Sequence, residues 1–110
     1  MKRSFGNANA AQKRRFDAIK EAGCIACRHH LNLLSMPEIH HLTDSGRAIS
    51  HDHTVGLCQW HHRGVLAPGW SSRDMEAVFG PSYQRSKRAF VERFGDNDTL
   101  LRIQNEILAR

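Results

Sequence analysis

Apolar positions along this chain fall in short, separated clusters, and their spacing predicts small elements. Residues 8–22 mix Ala with Lys and Arg and set Phe16 and Ile19 on one face, which predicts a helix stopped by Gly23. Residues 29–36 have no clean period, and Pro37 breaks any helix running through them. Residues 38–42 predict a short strand and 43–46 a turn or loop. Residues 54–58, with Val55 and Leu57 alternating, predict a second strand, and 59–64 start a helix bearing His61 and His62. Three more helices are expected. One runs from a cap at Ser71 or Ser72 to near Gly80, and one covers 82–94. The last follows a cap at Asn97 or Asp98, where Leu100, Leu101, Ile103, Ile107 and Leu108 recur. Residues 1–7 are polar and predict a loose start. The pattern as a whole is α+β: a strand–loop–strand–helix unit among several helices.

At 110 residues this is one domain with a small core, and small domains often need a metal or disulfides as a staple. Three cysteines do not close a disulfide framework, and eight histidines are many for such a chain. Thiolate ligands imply a reducing compartment. With no secretory segment and no apolar run of membrane-spanning length, a soluble cytoplasmic protein is expected and no membrane partner. The net charge is +5, and residues 1–30 hold all of it: seven Lys or Arg face two acids there, against nine and nine in the remainder. A basic arm of this kind is an electrostatic footprint for nucleic acid.

Cys24, Cys27, Cys58 and His61 form a CxxC…CxxH set. A two-residue spacer lets neighbouring ligands converge on one tetrahedral ion, so the set predicts a structural zinc knuckle. A thiol redox role lacks the βαβ context it would need. Four ligands satisfy such a site, which leaves His40, His41, His53 and His62 close to the same unit. Strand alternation sends His40 and His41 to opposite faces, so one can hold a metal while the other meets substrate. His61 and His62 divide in the same way. His29, His30 and His51 are given no role.

The run from Pro37 through His40, His41 and Leu42, followed by His53 through Cys58 to His61, His62 and Arg63, resembles the HNH endonuclease motif. It resembles more closely the phage Ref family of RecA-dependent recombination-enhancement nucleases, as does the tail from Gly80-Pro81 through Ser86–Phe90 to Phe94-Gly95. The resemblance implies a small ββα-metal core with a zinc knuckle, packed with several helices. The charge pattern sets off a basic, partly flexible arm and helix over 1–20, and the resemblance makes 21–110 the nuclease domain. The resemblance implies that His41 is the general base, that His40 and His62 hold a catalytic divalent ion (Mg²⁺ or Mn²⁺), and that His53, catalytic as well, stands where the family has Asn and orients His41 through a hydrogen bond or sits beside the metal. His40 stands where many members have a metal-binding Asp, and Asp52 is the other candidate oxygen ligand. DNA and a RecA filament are the implied partners, in a bacterial host carrying the phage or prophage. Arg14, Arg15, Arg47, Arg63, Arg85, Lys87 and Arg88 are candidate phosphate contacts, which position DNA without reading its sequence. The alternative is a zinc-stabilised module that binds DNA or RecA without catalysis.

Overall fold

In the computed structural model, which describes residues 6–110, Asn9 starts the first helix, α1 (Ala10–Ala22). Its side chain accepts from the Gln12 amide while the Gln12 side chain reaches back to the Asn9 amide, a reciprocal cap that sets the start at residue 10 and not at 8. Gly23, at φ 87°, ends the helix in a conformation that favours glycine. Lys2 and Arg3 of the expected arm lie outside the described residues. A helical turn then carries Cys24 into a π-helical segment, Cys27–Leu31, closed by Asn32 in the left-handed region.

The strands follow the alternating runs. β1 (Glu38–His41) pairs antiparallel with β4 (Thr54–Leu57), with His40 opposite Val55 and His41 opposite Thr54. The loop between them holds more than the turn or loop expected at 43–46. It folds into a second two-stranded ribbon, β2 (Thr43–Asp44) with β3 (Arg47–Ala48). Ser45 and Gly46 both have positive φ, the geometry of a tight hairpin turn whose twist suits two antiparallel strands. Four helices follow: α2 (Gln59–Arg63), α3 (Ser72–Phe79), α4 (Lys87–Phe94) and α5 (Asn97–Leu108). Ser71 caps α3 and Asp96 caps α5, one residue before the expected Asn97 or Asp98. The helix expected over 82–94 begins only at Lys87. The Tyr83 amide is taken by the His61 carbonyl (2.8 Å), and the Ser82 hydroxyl accepts from the Arg85 amide, so one tertiary and one local bond hold 82–86 as a turn.

α1 lies across the β1–β4 pair. At Gly56 the packing is so close that an added Cβ would stand 2.8 Å from Ile19 Cγ2 and 3.0 Å from the Gly23 carbonyl. The Gly56 amide on the outer edge of β4 donates to the buried Gln104 side chain of α5 (2.7 Å), so the strand edge is satisfied by a helix. Ile19 is fully buried, so the residue-20 boundary expected between arm and domain falls inside an integral helix. The core joins Cys24, Ile25 and Cys27 to Leu42, Val55 and Leu57 under Phe90 and Phe94 of α4 and Leu100, Ile103 and Ile107 of α5. Among the described residues no helix is long and apolar enough to cross a membrane.

Candidate functional site

Helix α2 presents adjacent histidines to two different places, because successive helical residues are about 100° apart. On one side, His61 meets three thiols. Its Nδ1 lies 3.6 Å from Cys24 Sγ, 3.4 Å from Cys27 Sγ and 3.3 Å from Cys58 Sγ, while Cys27 and Cys58 sulfurs are 3.9 Å apart. A tetrahedral ion with Zn–S of about 2.3 Å and Zn–N of about 2.0–2.1 Å requires S···N edges of about 3.6 Å and S···S edges of about 3.8 Å. The four ligand atoms therefore stand close to zinc spacing, and all lie within 4.8 Å of one another. The His61 Nε2–H donates to the Phe79 carbonyl (2.8 Å), which leaves Nδ1 as the lone-pair nitrogen facing the thiols. The Cys58 side chain accepts from the His61 amide at the start of α2, so the strand–helix corner itself aims two ligands.

Three of the four ligands are buried, with Cys24 and His61 at 0% exposure and Cys27 at 3%, and Cys58 is half-buried. Hydrogen bonding to Cys27 and Cys58, with burial, pushes the Cys24 thiol up, while hydrogen bonds from Cys24 and Cys27 push Cys58 down. Without a cation these sulfurs must share protons, and a divalent ion takes the place of those protons. This Cys₃His group is compatible with structural zinc.

On the other side of α2, His62 faces β1. Its Nδ1–H donates to Glu38 Oε1 (2.9 Å), and Arg63 grips both oxygens of the same carboxylate (Nε 2.8 Å, Nη2 2.6 Å). Arg63, then, is held by a strand carboxylate on this face. Hydrogen bonding from Arg63 outweighs burial and, with His62, holds the Glu38 carboxyl below its usual range. Glu38 and His40 are two apart in β1 and share a face. His40 is 5% exposed, its ring stands 4.9 Å from that of His62 and 4.6 Å from Tyr83, and its Nε2 is buried with no hydrogen-bond partner. Burial, with the charges of His62, His41 and Lys87, pushes its pKa down to about 4, so it is a neutral imidazole near pH 7. An orphaned buried nitrogen of this kind is costly unless something binds it. The pair suits a divalent cation. Among the described residues no third Cys, Asp, Glu or His converges with it as the zinc-type ligands do.

His41 points to the opposite face, against α1 and the turn before β4. Its Nε2 lies 3.0 Å from His51 Nδ1, and Phe16 stands edge-on to both rings. Burial, then His51 and His62, lower the His41 pKa. The expected hydrogen bond from His53 is thus made by His51, while the His53 ring turns to Ser50 Oγ (2.7 Å). Asp52 turns away as well, accepting from Gln12. Sequence reasoning passes over Glu38, Tyr83 and His51. The period of two that links Glu38 to His40 could have found the first; nothing in the linear pattern points to the others.

The candidate phosphate contacts divide. Arg15 is an internal brace, donating to Thr54 Oγ1, to the Thr54 carbonyl and to Asn105, and Arg85 donates to the Gly64 carbonyl. Arg14, Arg47, Lys87 and Arg88 are exposed; Lys87 lies 5.5 Å over the Tyr83 ring, and Arg88 pairs with Glu92. The family described as "Recombination enhancement, RecA-dependent nuclease" matches residues 8–109. No curated protein matches the sequence.

Proposed function

The chain belongs to the recombination-enhancement, RecA-dependent nuclease family, and on that premise we propose that it is a metal-dependent DNA endonuclease of the HNH (ββα-metal) type that cuts DNA held by RecA. The observation that carries this reading is the His40–His62 pair: a buried imidazole nitrogen with no partner beside a second imidazole aimed by a carboxylate, one residue from His41. A closed structural zinc site has no use for these groups.

In this reading Cys24, Cys27, Cys58 and His61 hold zinc as a closed structural site, and His40 and His62 hold the catalytic ion. That ion, when bound, neutralises charge at the scissile phosphate and at the leaving 3′ oxygen. His41 accepts a proton from the attacking water; its lowered pKa keeps it unprotonated at neutral pH. Glu38 fixes the ring of His62 so that Nε2 is the nitrogen left for a ligand, and Arg63 keeps Glu38 charged and in place. Tyr83 covers one side of His40 and limits water there. Arg14, Arg47, Lys87 and Arg88 hold backbone phosphates, and the residues before α1 add affinity as a basic arm, the rest forming the nuclease body. A RecA partner and thiolate ligands both favour a reducing cytoplasm.

The test is plasmid cleavage with Mg²⁺, Mn²⁺ or EDTA, with and without RecA filaments. Cleavage that needs a divalent ion and is raised by RecA supports the reading. Binding to DNA or filaments with no cleavage under any ion would make the protein a zinc-stabilised binding module.

A further inference from the structure

His51 is the one histidine in contact with the proposed base, and the partners on either side of it decide where the protons lie. Its Nε2 is 3.1 Å from the Gly6 carbonyl. A carbonyl only accepts, so this nitrogen carries the proton and His51 Nδ1 is the lone pair. The 3.0 Å contact between His51 Nδ1 and His41 Nε2 then requires His41 to donate from Nε2. Protons so arranged leave His41 Nδ1 as the basic nitrogen, and it has no partner among the described residues. Phe16 packs edge-on to both rings, at 6.2 Å from His41 and 5.9 Å from His51, which restricts their rotation.

We propose that His51 is a positioning residue for His41: held by the Gly6 carbonyl, it fixes the His41 tautomer and ring so that Nδ1 faces the attacking water. This rests on the reading of His41 as the base. The pair is a clamp and not a proton wire, because the chain ends at a carbonyl that cannot take up a proton. When Nδ1 takes the proton from water, the hydroxide's electron pair forms the new bond to phosphorus and the 3′ oxygen leaves. His41, now an imidazolium, still donates from Nε2 to His51 Nδ1. The acquired proton leaves from Nδ1 to solvent. Orienting a catalytic histidine through its second nitrogen is a general device, and here the partner comes from the turn before β4.

The experiment uses the full zinc-loaded chain, ¹⁵N-labelled at histidine, with side-chain long-range ¹H–¹⁵N spectra and RecA-filament cleavage on the same samples. The wild type is expected to show His41 as a single Nε2–H tautomer. His51→Ala should give mixed His41 tautomers and a kcat loss on the order of 10-fold, smaller than the roughly 10²–10⁴ expected for loss of the base itself. KM, thermal stability and zinc content should hold. His51→Asn, whose side-chain oxygen can accept from His41 Nε2, should restore much of the rate and the single tautomer. If His51→Ala keeps one His41 tautomer and full kcat while His41→Ala is inactive, the positioning role is wrong and the base stands. If His41→Ala cuts at the wild-type rate, the base assignment is what fails, and the spectra still report whether His51 sets the tautomer.

Discussion

Cys58→Ser should unfold the protein and not merely loosen it. Cys58 sits at the corner between β4 and α2, contributes one of three sulfurs around His61 Nδ1, and also caps α2. Its partners Cys24 and Cys27 belong to the same cluster as Phe90, Phe94 and Leu57, so the knuckle is part of the core. Zinc binding to such sets is worth about 10–16 kcal/mol at neutral pH. A whole small domain is stable by only about 5–15 kcal/mol. Removing one ligand therefore puts a large fraction of total stability at risk, and the hydroxyl of Ser is a poor replacement for a thiolate. The assay pairs zinc content per chain with thermal melting followed by far-ultraviolet circular dichroism. The expected result is sub-stoichiometric zinc and loss of the cooperative transition, reproduced in the wild type by a strong chelator. A metal-free Cys58→Ser protein that melts at the wild-type temperature would refute the argument that the metal holds this core.

Three other outcomes follow from the same geometry. Glu38→Ala frees the His62 ring, so the Mn²⁺ concentration giving half-maximal cleavage should rise about 10–100-fold, the usual cost of losing a carboxylate behind a metal-binding histidine, with structural zinc unchanged; an unmoved Mn²⁺ dependence would deny His62 its place at the ion. Because His40 and His62 offer imidazole nitrogens, Mn²⁺ or Ni²⁺ should support cleavage at lower concentration than Mg²⁺, which prefers oxygen; a clear preference for Mg²⁺ would mean that carboxylates do more at the site than assigned. Deleting residues 1–5 removes Lys2 and Arg3 and should flatten the salt dependence of DNA binding by up to about 2 in slope, whereas a deletion reaching Arg15 should also destabilise the fold, because Arg15 braces β4 and α5; an unchanged slope would show that the arm is idle.

The zinc-type ligands are legible in the sequence because a CxxC spacer states a local geometry that any fold must respect. The strand around Val55 is legible because Val55 and Leu57 alternate with smaller residues in the sequence, although β4 is buried along its whole length. The ribbon at 43–48 is missed because its signal is carried by backbone dihedrals at Ser45 and Gly46, with hardly any apolar pattern. Helix α4 is over-extended because 82–86 contains no Gly or Pro to stop a helix, and the bonds that hold it as a turn include those of the Tyr83 amide to His61 and of Arg85 to Gly64, partners about 20 residues earlier in the chain. Arg15 reads as one of several cations on a basic helix. That its guanidinium turns inward depends on where Thr54 and Asn105 arrive, which is tertiary information. His51 and His53 look alike on paper, since both flank Asp52. Their division is decided by the turn at 50–53, where Ser50 captures His53 and leaves His51 to meet His41.

The central claim is that neighbouring histidines on one strand do different work, and it is tested most directly by comparing His41→Ala with His40→Ala for cleavage, DNA affinity and metal content. His41→Ala should lose cleavage by about 10²–10⁴ while DNA binding and zinc content stay at wild-type values, and added metal should not help. His40→Ala should also cut poorly but recover in part with excess Mn²⁺, again with zinc intact. Normal cleavage by His41→Ala, or loss of structural zinc from either variant, would contradict the assignment of base and ligands.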